Sequence, residues 1–368
     1  MHTVLITGAT GFVGSALAAT FLARSMRVIA LVRDDPKGGR TRRAIDEASQ
    51  GFGLSIASSM TTHLQILNVD EVLLADNADS IGHPALAEVT EVWHCAAEMS
   101  YTPRSLTTSF KTNVGITCAL YLAVNTYALR CRRFYQVSSA YVSGAVNGQI
   151  TETLRWNADC LNPYQVTKWS AEVALKALSD TGRVPVTLFR PSIIVGHEQT
   201  GWVKRNGFGV YMFADVMEAV TRVDLQEVTL EAMREGRPDM IAINRLVDDA
   251  LALTVRSADH SDDAAFEIFH CSGGMALNYH AIVTLFGEAF GVRVSYGPSR
   301  TILEQQINHG ISLRRELMEH ELNFDRSKLD AALGRATPLA AIDASIMRRL
   351  IAWYQAGIQS GRSSLRGG

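Results

Sequence analysis

The sequence predicts a doubly wound α/β fold: a parallel sheet covered by helices on both faces, followed by a smaller, mainly helical C-terminal domain. Three observations carry this. Short apolar runs alternate with helix-period segments through the first half, the pattern of parallel βαβ units buried on both faces. A glycine-rich turn joins the first apolar run to the first helical segment. The alternation then breaks after Gly196, where loop and helical segments dominate.

Strands are predicted over residues 2–7, 27–33, 63–67, 91–95, 132–138 and 185–190, with helices over 12–24, 69–86, 106–127 and 164–178. Residues 34–62 do not fit this spacing and read as a long, partly helical connection. Beyond Gly196 the reading is a loop over 197–209, helices over 211–220 and 227–234, and a short strand over 239–243. A helix over 246–255, a strand over 266–270, a helix over 279–290 and a helical stretch over 301–358 follow. The Ser/Gly/Arg composition of 360–368 suggests a disordered tail. The expected division is a first domain over 1–195 and a second over 196–359, with some segments of the second returning to the first sheet.

At 368 residues, with 47% hydrophobic and 20% charged residues, the chain has the balance of a folded globular protein. Its 35 basic and 37 acidic side chains give a net charge of −2, which leaves no electrostatic source for general affinity to nucleic acid or anionic membrane. The five cysteines are odd in number and contain no CxxC pair, so no disulfide framework is expected and a reducing compartment fits. No apolar run reaches the roughly 18 residues of a membrane span; the best, 116–129, contains Thr117, Asn125 and Thr126. Residues 13–22 are apolar, but no Lys or Arg precedes them, unlike an export signal. The expectation is a soluble, cytoplasmic protein.

The strongest motif is Thr7-Gly8-Ala9-Thr10-Gly11-Phe12-Val13-Gly14. Gly8 permits a tight turn, Gly11 lets backbone approach a pyrophosphate, and Gly14 lets helix and strand pack closely. The helix N-terminus then offers N–H groups to phosphate oxygens. Strand, motif and helix occur in the order that a dinucleotide-binding (Rossmann) unit requires. A tight turn without a nucleotide is the alternative. Strand two ends in Leu31-Val32-Arg33-Asp34. An acidic residue there binds a free ribose 2′-hydroxyl, whereas an arginine accommodates a 2′-phosphate. Arg33 comes first after the apolar run, so NADPH is expected over NADH, with Asp34 as the opposing feature. Arg42 and Arg43 read more readily as a solvated helix face than as phosphate ligands.

The second motif is Tyr164-Gln165-Val166-Thr167-Lys168. Residues i and i+4 share a helix face, so the phenol and the ammonium can converge. A neighbouring ammonium and a bound cationic nicotinamide are expected to lower the phenol pKa from about 10 toward a useful acid/base value. Ser138-Ser139-Ala140-Tyr141-Val142-Ser143-Gly144, at the end of strand five, would supply a substrate-orienting hydroxyl.

With these residues in this order, the chain resembles the extended short-chain dehydrogenase/reductase superfamily. Ala96-Ala97 after strand four, Asn113-Val114 in the next helix and Arg190-Pro191-Ser192 after strand six extend the likeness. The resemblance implies that Lys168 holds the nicotinamide ribose, Tyr164 exchanges the proton and Ser139 orients the reacting oxygen. It also implies a supporting Asn113 near the lysine. Cofactor contacts are expected from Thr7, Gly8, Thr10, Gly11, Phe12, Val13, Gly14, Arg33, Ala96, Ala97, Asn113, Tyr164, Lys168, Pro191, Ser192 and Ile193.

Within the superfamily, Val92-Trp93-His94-Cys95-Ala96-Ala97, Arg190-Pro191-Ser192-Ile193-Ile194-Val195-Gly196 and Gly207-Phe208-Gly209-Val210-Tyr211 are similar to the fatty acyl-CoA reductase and thioester reductase branch, whose NAD-binding domain is of the male sterility type. That likeness covers about residues 1–275. Two departures stand out: Asn68-Val69 where an Asp-hydrophobic pair is usual, and Asp239-Met240-Ile241-Ala242-Ile243-Asn244 where Asp-x-Val-Pro-Val-Asp is common. The resemblance implies an NADPH-dependent oxidoreductase that takes an acyl thioester of coenzyme A or a carrier protein to aldehyde or alcohol. With no adenylation or carrier segment before Met1, the thioester is expected in trans.

Two other readings remain open: a nucleotide-sugar epimerase or dehydratase using the same triad, and a non-catalytic NADP-binding regulator. His94-Cys95 and His270-Cys271 lack zinc-ligand spacing, so no metal is expected and packing is the better reading. Glu98 is read equally as a substrate-facing or a solvated carboxylate. Trp202, Phe208, Tyr211 and Phe213 are read equally as an acyl pocket or as core.

Overall fold

The computed structural model describes residues 2–73, 84–144, 146–204, 209–231, 234–259, 264–335 and 339–366. The first half runs β1 (Thr3–Thr7), α1 (Phe12–Ala23), β2 (Arg27–Val32), α2 (Gly39–Phe52), α3 (Ala57–Thr62), β3 (Leu64–Asn68), α4 (Val69–Leu73) and β4 (Glu91–His94). Next come α5 (Leu106–Phe110), a π-helical turn (Lys111–Ile116), α6 (Thr117–Tyr127), β5 (Arg133–Val137), β6 (Gly148–Ile150), α7 (Pro163–Ser179) and β7 (Val186–Pro191). The second half holds β8 (Ile193–Val195), α8 (Met212–Arg222), β9 (Glu227–Leu230), β10 (Met240–Ala242), α9 (Ile243–Asp259), β11 (Phe266–Cys271) and α10 (Tyr279–Phe290). It ends with β12 (Arg293–Tyr296), α11 (Ile302–Glu319), β13 (Leu322–Phe324), α12 (Ser327–Ala332) and α13 (Ala344–Arg366).

Seven strands form one sheet in the order β3-β2-β1-β4-β5-β7-β11, every neighbour parallel. Alternate side chains sort the two faces. Val4 and Ile6 of β1 pack with Leu17 and Phe21 of α1, Ile45 of α2 and Leu246 of α9. Leu5 packs on the other face with Val72 of α4, Leu120 and Val124 of α6 and Leu175 of α7. Chain order reverses between β1 and β4, and in such sheets ligands bind in the crevice beyond the strand C-termini at that switch point.

A second core joins Phe213 and Met217 of α8, Val228 and Leu230 of β9, Ile282 and Phe286 of α10, and Leu350 and Tyr354 of α13. Local capping fixes the helices around it. Asn278 caps α10 through the Ala281 N–H, and Thr301 with Glu304 forms a capping box at α11.

Several expectations are corrected. Residues 227–234, read as helical, begin with strand β9, because pairing with β12 outweighs the helix formers in the segment. The small parallel pairs β8–β10, β9–β12 and β6–β13 include β6, β8, β12 and β13, which are too short to announce themselves. Of the helix expected over 69–86, the described part is α4 and a 3₁₀ turn at Pro84–Glu88; residues 74–83 lie outside the described residues. Helix α13 continues to Arg366, through most of the segment expected as a disordered tail. It is anchored by buried Met347, Leu350, Ile351, Tyr354 and Ile358 at helical spacing. From beyond residue 196, β11 joins the main sheet and α9 covers one of its faces.

Candidate active site

A cleft of about 980 Å³ opens at the switch point. Every site residue expected from sequence lines it except Asn113.

At one end lies the glycine turn. Gly8 sits at φ 68°, and a Cβ there would lie 2.8 Å from the Ala96 nitrogen. A Cβ on Gly14 would lie 2.3 Å from the Gly8 carbonyl oxygen, so helix α1 approaches the turn as closely as only glycine permits. Gly11 is the N-cap of α1 and makes no side-chain cap bond. Ser138 Oγ, in the cleft wall, has no partner among the described residues. These features fit a bound dinucleotide, with the first turn of α1 facing its pyrophosphate.

Thr7 and Ala96 are fixed by a buried chain. The Ala96 N–H donates to Thr7 Oγ1 at 3.1 Å, and Thr7 Oγ1 lies 2.6 Å from His94 Nδ1. His94 Nε2 lies 2.8 Å from Thr117 Oγ1, which donates to the Asn113 carbonyl at 2.7 Å. The consistent assignment is a neutral Nε2–H tautomer. Burial, assisted by Lys168, pushes the His94 pKa down to about 3. The imidazole is a tie between β1, β4 and the start of α6. His270 is likewise used internally, facing the Asp325 carbonyl at 2.7 Å.

Asn113 is corrected from a cleft residue to a clamp. Its amide oxygen accepts the Glu98 N–H at 2.7 Å; its NH₂ donates to Glu98 O and Thr167 Oγ1, both at 2.9 Å. It thereby holds the loop after β4 against α7.

At the middle of the cleft, Asn162 caps α7 through the Gln165 N–H, with Pro163 in the first turn. This start places Tyr164 and Lys168 on the face toward β5. The buried Lys168 Nζ donates to the Val137 carbonyl at 2.7 Å. Burial lowers its pKa to about 8, with Cys95 and Glu172 pulling upward. Ser139 Oγ accepts the Tyr141 N–H at 3.2 Å and is hydrogen-bonded to Tyr164. The nearby Lys168 ammonium does not by itself bring the Tyr164 pKa down. Burial, then Tyr101 and Glu172, raise it, opposed by the Ser139 hydrogen bond. The phenol is therefore held protonated at neutral pH.

At the far end of the cofactor half, Arg33, Arg40 and Arg43 line the wall. Arg40 Nη2 donates to the Arg33 carbonyl at 2.6 Å, and Asp35 fixes the start of α2 through Thr41 N at 2.8 Å and Thr41 Oγ1 at 2.6 Å. The Thr41 hydroxyl contributes most to holding the Asp35 carboxyl below its ordinary range. Asp34 also lines the cleft, in a left-handed turn at φ 50°. Arg42 instead donates to the Met60 carbonyl.

The opposite half is lined by Met99, Tyr101, Tyr141, Val210, Met212, Phe213, Tyr279 and Met318. Glu98, Tyr211 and Phe213 line the cleft, whereas Trp202 packs under Phe12 and Phe52. Phe208 and Gly207 lie outside the described residues. Lys204, Tyr279 and Met318, which also line the cleft, were missed by sequence reading; no local pattern marks residues that long-range packing delivers. Val69 also lines the cleft, while Asn68, the unusual member of the pair, accepts the Asp70 N–H through Oδ1. At the other departure, Asp239 accepts the Gly273 and Gly274 N–H groups, and Asn244 binds Glu198.

The sequence profile described as male sterility protein, an NAD-binding domain, matches residues 6–232. The chain belongs to this family. Its NAD-binding domain is of the extended short-chain dehydrogenase/reductase type. An aldehyde reductase, lnbA, of Aspergillus flavus is 23% identical over 79% of the male sterility-type chain and 29% of its own length. A carboxylic acid reductase of Mycobacterium marinum is 27% identical over 55% of the chain and 18% of its own length. The chain thus spans less than a third of these curated relatives. Among solved structures, the terminal R domain of the myxalamid PKS-NRPS pathway superposes with a TM-score of 0.74 at 19% identity, covering 96% of this chain and 90% of that one. MoeE5 in complex with UDP-glucuronic acid and NAD gives 0.64 at 20% identity, covering 96% and 99%. Both likenesses are of fold. Among the described residues, no helix of this family member is long and apolar enough to cross a membrane.

Proposed function

We propose that this family member is an NADPH-dependent reductase of an acyl thioester carried by coenzyme A or a carrier protein, with Ser139, Tyr164 and Lys168 at the reacting centre. The observation that carries this reading is the polarity of one continuous cleft. Its basic residues, Arg33, Arg40, Arg43, Lys168 and Lys204, gather in the half that holds the glycine turn and the lysine. The other half is walled mainly by methionine, tyrosine, phenylalanine and valine. An acyl group suits such a wall; the diphosphate of a nucleotide sugar suits it poorly. The curated relatives include reductases, which favours reduction over epimerisation.

Bound NADPH supplies the hydride. Tyr164, protonated at neutral pH, donates its proton toward the oxygen on which negative charge develops, and Ser139 steadies that oxygen and the phenol. Lys168, whose Nζ donates to the Val137 carbonyl, would hold the nicotinamide ribose. Collapse of the resulting hemithioacetal breaks the C–S bond and releases thiol and aldehyde. One thioester, one NADPH and one proton thus give aldehyde, thiol and NADP⁺.

The test is NADPH consumption against acyl-CoAs, acyl-carrier thioesters, free aldehydes and UDP-sugars. Turnover of a thioester with equimolar thiol release supports the reading. Turnover of a UDP-sugar with tightly held NAD⁺ overturns it in favour of the epimerase.

Arg33→Ala is expected to raise the Kd for NADPH much more than that for NADH, because only NADPH carries the 2′-phosphate. Equal losses, measured by fluorescence titration, would remove Arg33 from that role. A pH dependence also follows. Lys168 is charged below its pKa of about 8 and neutral above it. NADPH affinity should therefore be flat from roughly pH 6 to 7.5 and weaken above about 8. The same profile in Lys168→Met would show that another group titrates.

A further inference from the structure

We infer that Lys204 is a ligand for a phosphate oxygen of the bound dinucleotide, delivered by a strap from the second half of the chain. The inference rests on the cofactor reading above.

The strap, residues 197–204, is held from several sides. The His197 N–H donates to Trp202 O at 2.7 Å, and Gly201 N–H to His197 O at 2.8 Å. Trp202 lies over Gly51, where a Cβ would come within 2.1 Å of its ring, and its centroid is 5.3 Å from that of Phe12. Thr200 Oγ1 donates to the Gly51 carbonyl at 2.7 Å, and Phe52 meets the His197 ring edge-on at 4.7 Å. The strap is thus fastened across α2 and the start of α1.

Its end carries Lys204 into the cleft, where Nζ donates to the Thr10 carbonyl. Thr10 lies between Gly8 and the N-cap Gly11, so the ammonium stands beside the anion-binding turn. Arg43 and Glu47, from α2, line the same end of the cleft. An ammonium has three donors, and among the described residues the protein engages one of them through the Thr10 carbonyl. Half-burying a lysine for one carbonyl is costly; a phosphate oxygen beside the turn supplies the stronger, charge-assisted partner. Burial disfavours the charged form of Lys204, partly offset by Glu47; an arriving anion reverses that bias.

The experiment compares the full chain with Lys204→Met and Lys204→Arg. Kd values for NADPH and NADH, and the rise in thermal midpoint with each cofactor, are measured. Lys204→Met should weaken binding by about 10- to 100-fold, as expected for losing a hydrogen bond to a charged group. Its midpoint without cofactor should be unchanged, and Lys204→Arg should restore most of the affinity. Equal losses for both cofactors identify the pyrophosphate; a loss confined to NADPH identifies the 2′-phosphate. Unchanged Kd values for both overturn the inference. So does a lowered cofactor-free midpoint with no rescue by arginine, which would make the Thr10 contact purely structural. Failure of the parent protein to bind either cofactor would instead refute the cofactor reading itself.

Discussion

Tyr164→Phe is expected to slow thioester reduction by about 10²–10⁴-fold, the usual contribution of general acid catalysis, while leaving NADPH affinity nearly intact. Phenylalanine keeps the ring near Tyr101, whose centroid is 5.9 Å from that of Tyr164, and removes only the hydroxyl. That hydroxyl is buried, protonated and hydrogen-bonded to Ser139, so its loss takes away the proton donor with little disturbance of packing. Ser139→Ala should cost the same or less, because its hydroxyl orients without being the final acid. Lys168→Ala should differ in kind, raising the NADPH Kd as well as slowing turnover. Single-turnover rates and cofactor titrations on the three variants separate these effects. A Tyr164→Phe protein that reduces thioester at the parental rate would favour the non-catalytic regulator.

Glu172→Ala is expected to lower stability by about 3–5 kcal/mol, the cost of leaving a buried charge without its partner. Arg190 grips Glu172 with two bonds, Nε to Oε1 at 2.9 Å and Nη2 to Oε2 at 2.6 Å, and both side chains are fully buried. Arg190 also donates to the Thr153 carbonyl at 3.0 Å. Glu172 follows Lys168 by one turn of α7, so this pair locks the helix carrying Tyr164 and Lys168 onto β7. The urea midpoint should fall in proportion. A change under about 1 kcal/mol would mean that the pair is dispensable for folding.

The tyrosine-lysine and glycine motifs were legible as structural units because their geometry is local. Gly8, Gly11 and Gly14 lie within one turn and helix start, and Tyr164 and Lys168 are one helical turn apart. Strands β1 to β5 and β7 were legible because each is apolar on both faces. Strand β9 was not, because pairing with β12, more than 60 residues away, decides it. Asn113 was placed near the lysine by resemblance, yet its actual bonds to Glu98 and Thr167 depend on how the loop after β4 meets α7. Lys204 is the extreme case, reaching Thr10 across 194 positions. The burial that raises the Tyr164 pKa was hidden for a related reason: spacing revealed the neighbouring ammonium but not the packing around the phenol.

The most direct test of the central claim is hydride transfer itself. The enzyme is incubated with NADPH deuterated at nicotinamide C4, on the face that transfers, and an acyl-CoA, and the products are read by mass spectrometry. Deuterium at C1 of the released aldehyde or alcohol, with matching free coenzyme A, is the predicted result. Coenzyme A released without deuterium in the acyl product, or no reaction with any thioester while a UDP-sugar is epimerised, would contradict the account.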